Sequence, residues 1–203
     1  MIILDNGHGI KTKGKRSPVQ PDGSQLFEFE FNRDIVRRIA QRLSGMGWRY
    51  YVLVPEIEDV PLSERCRRVN DLHRVYPSSF LVSVHANAGG GTGWEVFTSR
   101  GQTESDKLAD IFYKEAQRKL SGFRMRKDTT DGDYDKEAQF YILKHTTCPA
   151  VLTENLFMDN PKDLEFIMSE SGRKTIAEIH ISAILKQMNV GKYLSAKQLI
   201  DSY

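Results

Sequence analysis

Short apolar runs alternate along the chain with stretches in which apolar residues recur every three or four positions. The continuous runs are typical of strands buried on both faces of a sheet, and the spaced pattern is typical of amphipathic helices. The predicted strands are residues 2–4, 50–54, 80–84, 94–98, 140–143 and 150–153. The predicted helices are residues 28–45, 61–74 and 105–120, a stretch that begins at residue 161, and residues 176–188.

The alternation of strands and helices predicts an α/β fold. We expect a single three-layer domain, with a twisted, mostly parallel sheet and helices on both faces. A chain of 203 residues is long enough to bury one such core. We assign residues 1–189 to this domain and residues 190–203 to a short C-terminal tail, because the last residues are too few for a second domain. Two polar segments, residues 10–25 and 121–139, are predicted to be irregular.

Composition and charge exclude several classes of protein. The chain has 29 Lys and Arg against 27 Asp and Glu, a formal net charge of only +2. We therefore expect no nucleic-acid partner, since proteins that bind nucleic acids usually carry a strong basic excess. No apolar run approaches the roughly 20 residues that span a bilayer, so we expect no membrane insertion. Two cysteines, Cys66 and Cys148, are too few for a disulfide framework or a four-cysteine zinc site. A metal site in this chain therefore has to consist of histidine and carboxylate ligands.

The first residues carry no charged segment, no long apolar segment and no small-residue cleavage site. Those features mark secretory signal peptides. We therefore expect the chain to be made in the cytoplasm, with a processed longer precursor as the alternative.

Candidate catalytic side chains stand at the ends of predicted elements. His8, His85 and Glu154 each follow a predicted strand, and Glu28 opens the first predicted helix. Because sites in open α/β sheets gather at the carboxyl ends of the strands, we expect these side chains to share one edge. Two imidazoles and a carboxylate form a recurring catalytic zinc set, and a second carboxylate can take the proton of a water molecule. Each residue also has a structural interpretation, for example His85 as a buried core histidine and Glu28 or Glu30 as acidic residues at a helix N-terminus. The local pattern does not choose between Glu28 and Glu30.

An ordered series of motifs resembles the Amidase_3 family of zinc-dependent N-acetylmuramoyl-L-alanine amidases. The resemblance runs from about Ile2 to about Met188. The segments that carry it are Ile3-Leu4-Asp5-Asn6-Gly7-His8-Gly9, Glu28 with Asn32, Pro61-Leu62-Ser63-Glu64-Arg65 with Asn70, Phe80-Leu81-Val82-Ser83-Val84-His85-Ala86-Asn87-Ala88, Gly93-Trp94-Glu95-Val96-Phe97, and Pro149-Ala150-Val151-Leu152-Thr153-Glu154 with Phe157 and Asn160. The chain departs from the family pattern where Asn6 replaces a proline, Val69 replaces an alanine and Asn155-Leu156 replaces a glycine-containing pair.

The resemblance implies an enzyme that hydrolyses the amide bond between N-acetylmuramic acid and L-alanine in peptidoglycan. By the same resemblance, one Zn²⁺ ion is held by His8, Glu28 and His85, and Glu154 is the catalytic carboxylate. The motif register selects Glu28 rather than Glu30. We expect Asn87 and His145 to be candidate substrate contacts, and we expect a monomer.

Two alternatives remain open from the sequence. The same constellation would serve another zinc peptidase or a deacetylase on the same scaffold. A non-catalytic module that binds the cell wall is less favoured, because it predicts that part of the constellation is missing. The chain fits an endolysin or an autolysin, so phage and host origin both stay open, with phage-type release or a processed precursor bringing it to the wall.

Overall fold

The computed structural model describes residues 1–130 and 132–200, with side chains described as far as residue 189. The strands are β1 (Ile2–Asn6), β2 (Tyr50–Val52), β3 (Phe80–Asn87), β4 (Trp94–Thr98), β5 (Lys136–Glu137) and β6 (Ala150–Phe157). They form one six-stranded sheet in the order β2-β1-β3-β6-β4-β5. Only the pairing of β4 with β6 is antiparallel within this sheet. The predicted mostly parallel sheet is confirmed.

Helices cover both faces of the sheet. They are α1 (Glu28–Gly45), α2 (Leu62–Val75), α3 (Glu104–Lys119), α4 (Tyr141–Lys144), α5 (Pro161–Met168) and α6 (Glu170–Ile200). Ile2 and Leu4 of β1 join a core with residues of α1, α3, α5 and α6, whereas Ile3 joins a second core with residues of α2 and α4. This alternation follows from the two-residue period of a strand. The structure therefore confirms the predicted three-layer α/β domain.

None of the described helices has an apolar stretch long enough to cross a bilayer.

The predicted strand at residues 140–143 is wrong, because this segment forms helix α4. Its backbone makes helical bonds, with the amide of Lys144 donating to the carbonyl of Phe140. Ile142 and Leu143 are buried in the second core, against α2. A four-residue apolar run is compatible with a strand or a helix turn, and the packing partner decides between them.

Other predicted boundaries also shift. Two residues of the segment predicted to be irregular form β5, which pairs in parallel with β4. β2 ends at Val52, two residues before the predicted end. The last helix starts at Glu170 and continues to Ile200, into the segment that we assigned to the tail; residues 201–203 lie outside the described residues.

A bulge interrupts the pairing of β3 with β6 just beyond the site. His85 is paired with Glu154, but Asn87 is paired with Phe157, so β6 contains one additional residue. Leu156 has a φ of 69°, in the left-handed region that favours glycine. This residue belongs to the Asn155-Leu156 pair, where the sequence departs from the motif series that it resembles. Bulges bend a strand and redirect neighbouring side chains, and this one follows Glu154 directly.

Candidate active site

Three neighbouring parallel strands carry their candidate residues to the same edge of the sheet. β1 ends two residues before His8, β3 contains His85, and β6 contains Glu154. His85 and Glu154 are register partners in the pairing of β3 with β6. Glu28 is the first residue of α1. The structure thus brings together all four residues that the sequence placed at strand and helix ends, as expected for the carboxyl edge of an α/β sheet.

His8, Glu28 and His85 form a compact cluster of donor atoms. Glu28 Oε1 lies 3.2 Å from His8 Nε2 and 3.1 Å from His85 Nδ1. The three residues can each offer one ligand atom, and these atoms all lie within 4.8 Å of one another. Glu28 is fully buried, and its Oε2 has no hydrogen-bond partner among the residues that the structure describes. A buried carboxylate oxygen without a donor is costly, so the arrangement suits a divalent metal ion.

Charge stabilises the ionised form of Glu28. Burial works to raise the pKa of this carboxyl group, but hydrogen bonds and the charges of His8 and His85 outweigh burial and hold the pKa well below its usual value. The Lys15 ammonium lies 3.7 Å from Glu28 Oε2 and adds a positive charge at the mouth of the site.

Steric constraints explain why glycine stands on both sides of His8. A Cβ on Gly7 would lie 2.0 Å from the ring of His85, and a Cβ on Gly9 would lie 2.2 Å from the backbone of Asp59. His8 itself has a φ of 66°. The left-handed turn therefore brings His8 beside His85, with ring centroids 4.9 Å apart, and only glycine leaves room on either side.

Glu154 is a half-buried carboxyl group with an unsatisfied oxygen. Its Oε2 is buried and has no hydrogen-bond partner in the described part of the chain. Burial raises the pKa of Glu154 to about 7, and the negative charges of Glu28 and Glu95 act in the same direction, against His85 and Lys15. A carboxyl group with a pKa near neutrality can both accept and donate a proton, which is the property of a general acid–base residue.

A cavity of about 500 Å³ opens over these residues. His8, His85, Glu154 and Lys15 line its polar side. Apolar and aromatic side chains also line it, namely Val60, Leu62, Phe140, Tyr141, Ile142 and Leu152. Its size and mixed lining are typical of a site for an organic substrate.

The two predicted substrate contacts lie outside the cavity wall. Asn87 Nδ2 donates a hydrogen bond to Glu95 Oε1 at 2.6 Å, at the far end of β3. His145 is exposed and stacks on Tyr141, with ring centroids 4.0 Å apart. Of these residues, Tyr141 lines the cavity, and the structure does not bring Asn87 or His145 to it. Their roles stay predictions.

Sequence reasoning missed a polar residue that supports the site from behind. Asn155 is fully buried, its Nδ2 donates to the carbonyl of His85 at 2.9 Å, and its Oδ1 accepts from Trp94 Nε1 at 2.8 Å. It connects β6 to β3 immediately beside Glu154. Its position next to Glu154 was visible in the sequence, but nothing in the local pattern indicates these long-range partners.

Comparisons with known proteins show the family of this chain. The family model described as N-acetylmuramoyl-L-alanine amidase, Amidase_3, matches residues 2–186. The chain is 30% identical over 202 residues to the N-acetylmuramoyl-L-alanine amidase CwlM of Bacillus licheniformis, covering 96% of this chain and 71% of the relative. It is 31% identical over 206 residues to the endolysin of Bacillus phage SPP1, covering 95% of this chain and 67% of that protein.

Solved structures share the fold. The crystal structure of an N-acetylmuramoyl-L-alanine amidase from Clostridium difficile 630 superposes with a TM-score of 0.79 at 24% identity, covering 93% of this chain and 96% of that one. The match of the family model over nearly the whole chain confirms the resemblance seen in the sequence. This chain belongs to the Amidase_3 family, the metal-dependent N-acetylmuramoyl-L-alanine amidases that hydrolyse the amide bond between N-acetylmuramic acid and L-alanine in peptidoglycan.

Proposed function

We propose that the chain cleaves its peptidoglycan amide bond with a single zinc ion held by His8, Glu28 and His85, and with Glu154 as the group that moves the proton. The observation that carries this proposal is the convergence of three donor atoms beside the half-buried Glu154, whose buried Oε2 has no hydrogen-bond partner among the described residues.

The donor set fits zinc in number, type and spacing. Two imidazole nitrogens and one carboxylate oxygen are a common catalytic zinc set that leaves a fourth position open. The separations of 3.1 and 3.2 Å are close to the roughly 3.3 Å edge of a tetrahedron with metal–ligand bonds of about 2.0–2.1 Å. A bound zinc ion would supply Lewis-acid chemistry by polarising the scissile carbonyl and acidifying water.

We assign the two proton transfers of the reaction to Glu154. Its carboxylate takes the proton of the attacking water, and the carboxylic acid then delivers that proton to the leaving amine of L-alanine. A pKa near 7 supports both halves of this transfer at neutral pH. Leu62, Phe140 and Tyr141 line the same cavity, and we propose that they contact the substrate.

The role of Glu28 as a metal ligand can be tested with two matched variants, Glu28→Gln and Glu30→Gln, in the first turn of α1. We expect Glu28→Gln to lose bound zinc and activity, because it removes a charged ligand. Glu30→Gln changes an exposed carboxylate two residues away and is expected to keep both. Metal content by atomic absorption and hydrolysis of a muropeptide measure the two effects. Equal zinc retention in both variants would contradict the assignment of Glu28.

Glu154→Gln separates proton transfer from metal binding. We expect this variant to keep stoichiometric zinc and to lose turnover, because the amide cannot accept the proton of water. His8→Ala is expected to lose the metal. Full activity in Glu154→Gln would exclude the proposed proton-transfer role.

The reaction itself is tested by digesting purified peptidoglycan with and without a chelator and by determining the product masses. Intact stem peptides with a free L-alanine amine, released only with metal, support the proposal. Cleavage inside the stem peptide indicates a peptidase, and released acetate indicates a deacetylase. Wall binding without any product indicates a non-catalytic module.

We further propose that residues 1–189 are the catalytic domain and that the chain acts as a monomer on the cell wall. Ile184 of α6 is still fully buried in the core, and the family match ends at residue 186. The endolysin among the relatives supports wall degradation, and phage-type release after cytoplasmic synthesis stays a prediction. A chain truncated after residue 189 is expected to retain zinc-dependent activity and to elute as a monomer in light-scattering chromatography.

A further inference from the structure

A buried hydroxyl group faces the side of His85 that is turned away from Glu28. Ser83 Oγ lies 3.2 Å from His85 Nε2, and it lies 2.5 Å from Asp5 Oδ2. A serine hydroxyl has one proton, which it donates here to the carboxylate of Asp5. Its oxygen can then only accept from the imidazole. His85 Nε2 must therefore carry a proton, and Nδ1 is the nitrogen left to face Glu28 Oε1 at 3.1 Å.

The carboxylate of Asp5 is held in one place by a buried arginine. Arg65 Nη1 donates to Asp5 Oδ1 at 2.6 Å, and the guanidinium also donates to the carbonyl of Val60 and to Asp59 Oδ1. Asp5 is 1% exposed and Arg65 is 2% exposed. Asp5 and Ser83 are register partners in the pairing of β1 with β3, so their side chains lie on the same face of the sheet.

A buried ion pair of this kind is expensive to desolvate, and replacing such a pair by apolar residues is often neutral or stabilising. Fold stability alone is therefore a weak reason for Asp5 and Arg65 to be charged here. Through the Ser83 hydroxyl, the carboxylate of Asp5 is connected by hydrogen bonds to the imidazole of His85, which belongs to the candidate metal cluster. Histidine ligands of metals commonly donate their second ring N–H to an oxygen acceptor, which sets the tautomer and the orientation of the ring.

We propose that Arg65, Asp5 and Ser83 form a positioning relay that keeps the proton of His85 on Nε2 and presents Nδ1 to the metal ion. This inference rests on the proposed metal-binding role of His85. Ser83 and Asp5 are positioning residues, because they act through His85 and not on the substrate.

The relay predicts a specific loss of metal affinity. In the full chain, freed of metal by a chelator, Zn²⁺ is titrated against a chromophoric competitor. We expect Ser83→Ala to weaken zinc binding about 10- to 100-fold, the usual effect of removing the partner of a ligating histidine. Ser105→Ala is the matched control: its buried hydroxyl accepts from the amide of Ala150 at 3.1 Å, and it has no part in the relay. We expect Ser105→Ala to keep the affinity of the wild type.

A measurement on the wild type keeps the inference falsifiable if Ser83→Ala fails to fold. In the zinc-loaded protein labelled with ¹⁵N-histidine, long-range ¹H–¹⁵N correlation identifies which ring nitrogen of each histidine is protonated. We expect His85 to show a proton on Nε2 and a metal-bound Nδ1. A His85 with its proton on Nδ1, or a folded Ser83→Ala with unchanged zinc affinity, overturns the relay.

The outcomes separate this inference from the proposed function. Tight zinc binding that is lost in His8→Ala but unaffected in Ser83→Ala rejects the relay and leaves the metal site standing. A wild-type chain that binds no zinc overturns the metal site and the relay together.

Discussion

Acid should destabilise this protein through one buried histidine. His180 is fully buried, its Nδ1 lies 2.8 Å from the carbonyl of Ile176, and its Nε2 lies 2.9 Å from Thr153 Oγ1. A neutral imidazole satisfies both contacts, donating through Nδ1 and accepting from the threonine hydroxyl. Burial lowers the pKa of His180 from 6.5 to about 4. Thr153 directly precedes Glu154, so this histidine also supports the strand that carries the site.

The sign and size of the effect follow from proton linkage. Between pH 6.5 and pH 4 the unfolded chain binds more protons at this position than the folded chain, so stability falls as the pH falls through this window. The shift of about 2.5 pKa units corresponds to roughly 3 kcal/mol when the protonation of both states is complete. At pH 5, about 2 kcal/mol of this stability has been lost, and above pH 7 the loss is negligible.

Urea unfolding at pH 7.5 and pH 5.0 measures this contribution for the wild type and for His180→Gln, which cannot titrate. A chelator in all samples removes the contribution of metal release. We expect the free energy of unfolding of the wild type to fall by about 2 kcal/mol more than that of His180→Gln. His145→Gln, which replaces an exposed histidine, is expected to follow the wild type. If the wild type and His180→Gln lose the same stability, the argument from burial fails.

Three other outcomes follow from local geometry. At an ordinary strand position such as Ala150, replacing alanine by glycine should lower the free energy of unfolding by about 1–2 kcal/mol. At Leu156, whose φ is 69°, glycine also relieves roughly 1–2 kcal/mol of backbone strain, which offsets this cost. Urea unfolding should therefore show Leu156→Gly and Leu156→Ala to be about equally stable. A Leu156→Gly variant that is less stable than Leu156→Ala by the Ala150→Gly difference would refute the strain. Gly7→Ala should lower zinc affinity in chelator competition, because its Cβ displaces the ring of His85, and unchanged affinity would contradict the close approach. Burial raises the pKa of Cys148 to about 12, so this thiol should resist alkylation at pH 8 in folded protein but react in urea; rapid labelling of the folded chain would show that the thiol is accessible.

The central strands were predictable because each is buried on both faces. Residues 80–84 and 150–153 form nearly continuous apolar runs, the pattern that is typical of strands buried on both faces of a sheet. The segments whose structure was predicted wrongly were short. Residues 140–143 pack two neighbouring apolar side chains against α2 as a helix turn, and β5 consists of two polar residues that are a strand only because β4 lies beside them.

The candidate site was likewise predictable only in part. The residue types and their places at strand ends were visible in the sequence, and the motif series selected Glu28. The structure supplies the reason: residues two positions apart on a helix point about 200° apart, so Glu28 is fully buried among the histidines while Glu30 faces solvent. Nothing in the local pattern indicated that Asp5, Arg65 and Ser83 would meet behind His85.

By itself, the sequence determined the alternation of strands and helices, the layer arrangement and the kinds of side chain at the carboxyl edge, because periodicity and turn residues act over a few neighbouring positions. The tertiary structure decided the distances between donor atoms, the nitrogen of His85 that faces Glu28, the bulge after Glu154 and the environment that raises the pKa of that residue. These features depend on strand register and on burial between residues far apart in the chain. Catalysis at this site needs both the residue types that the sequence supplies and the positions that the fold gives them, because ligands bind a metal ion only when packing holds their atoms at bonding distances.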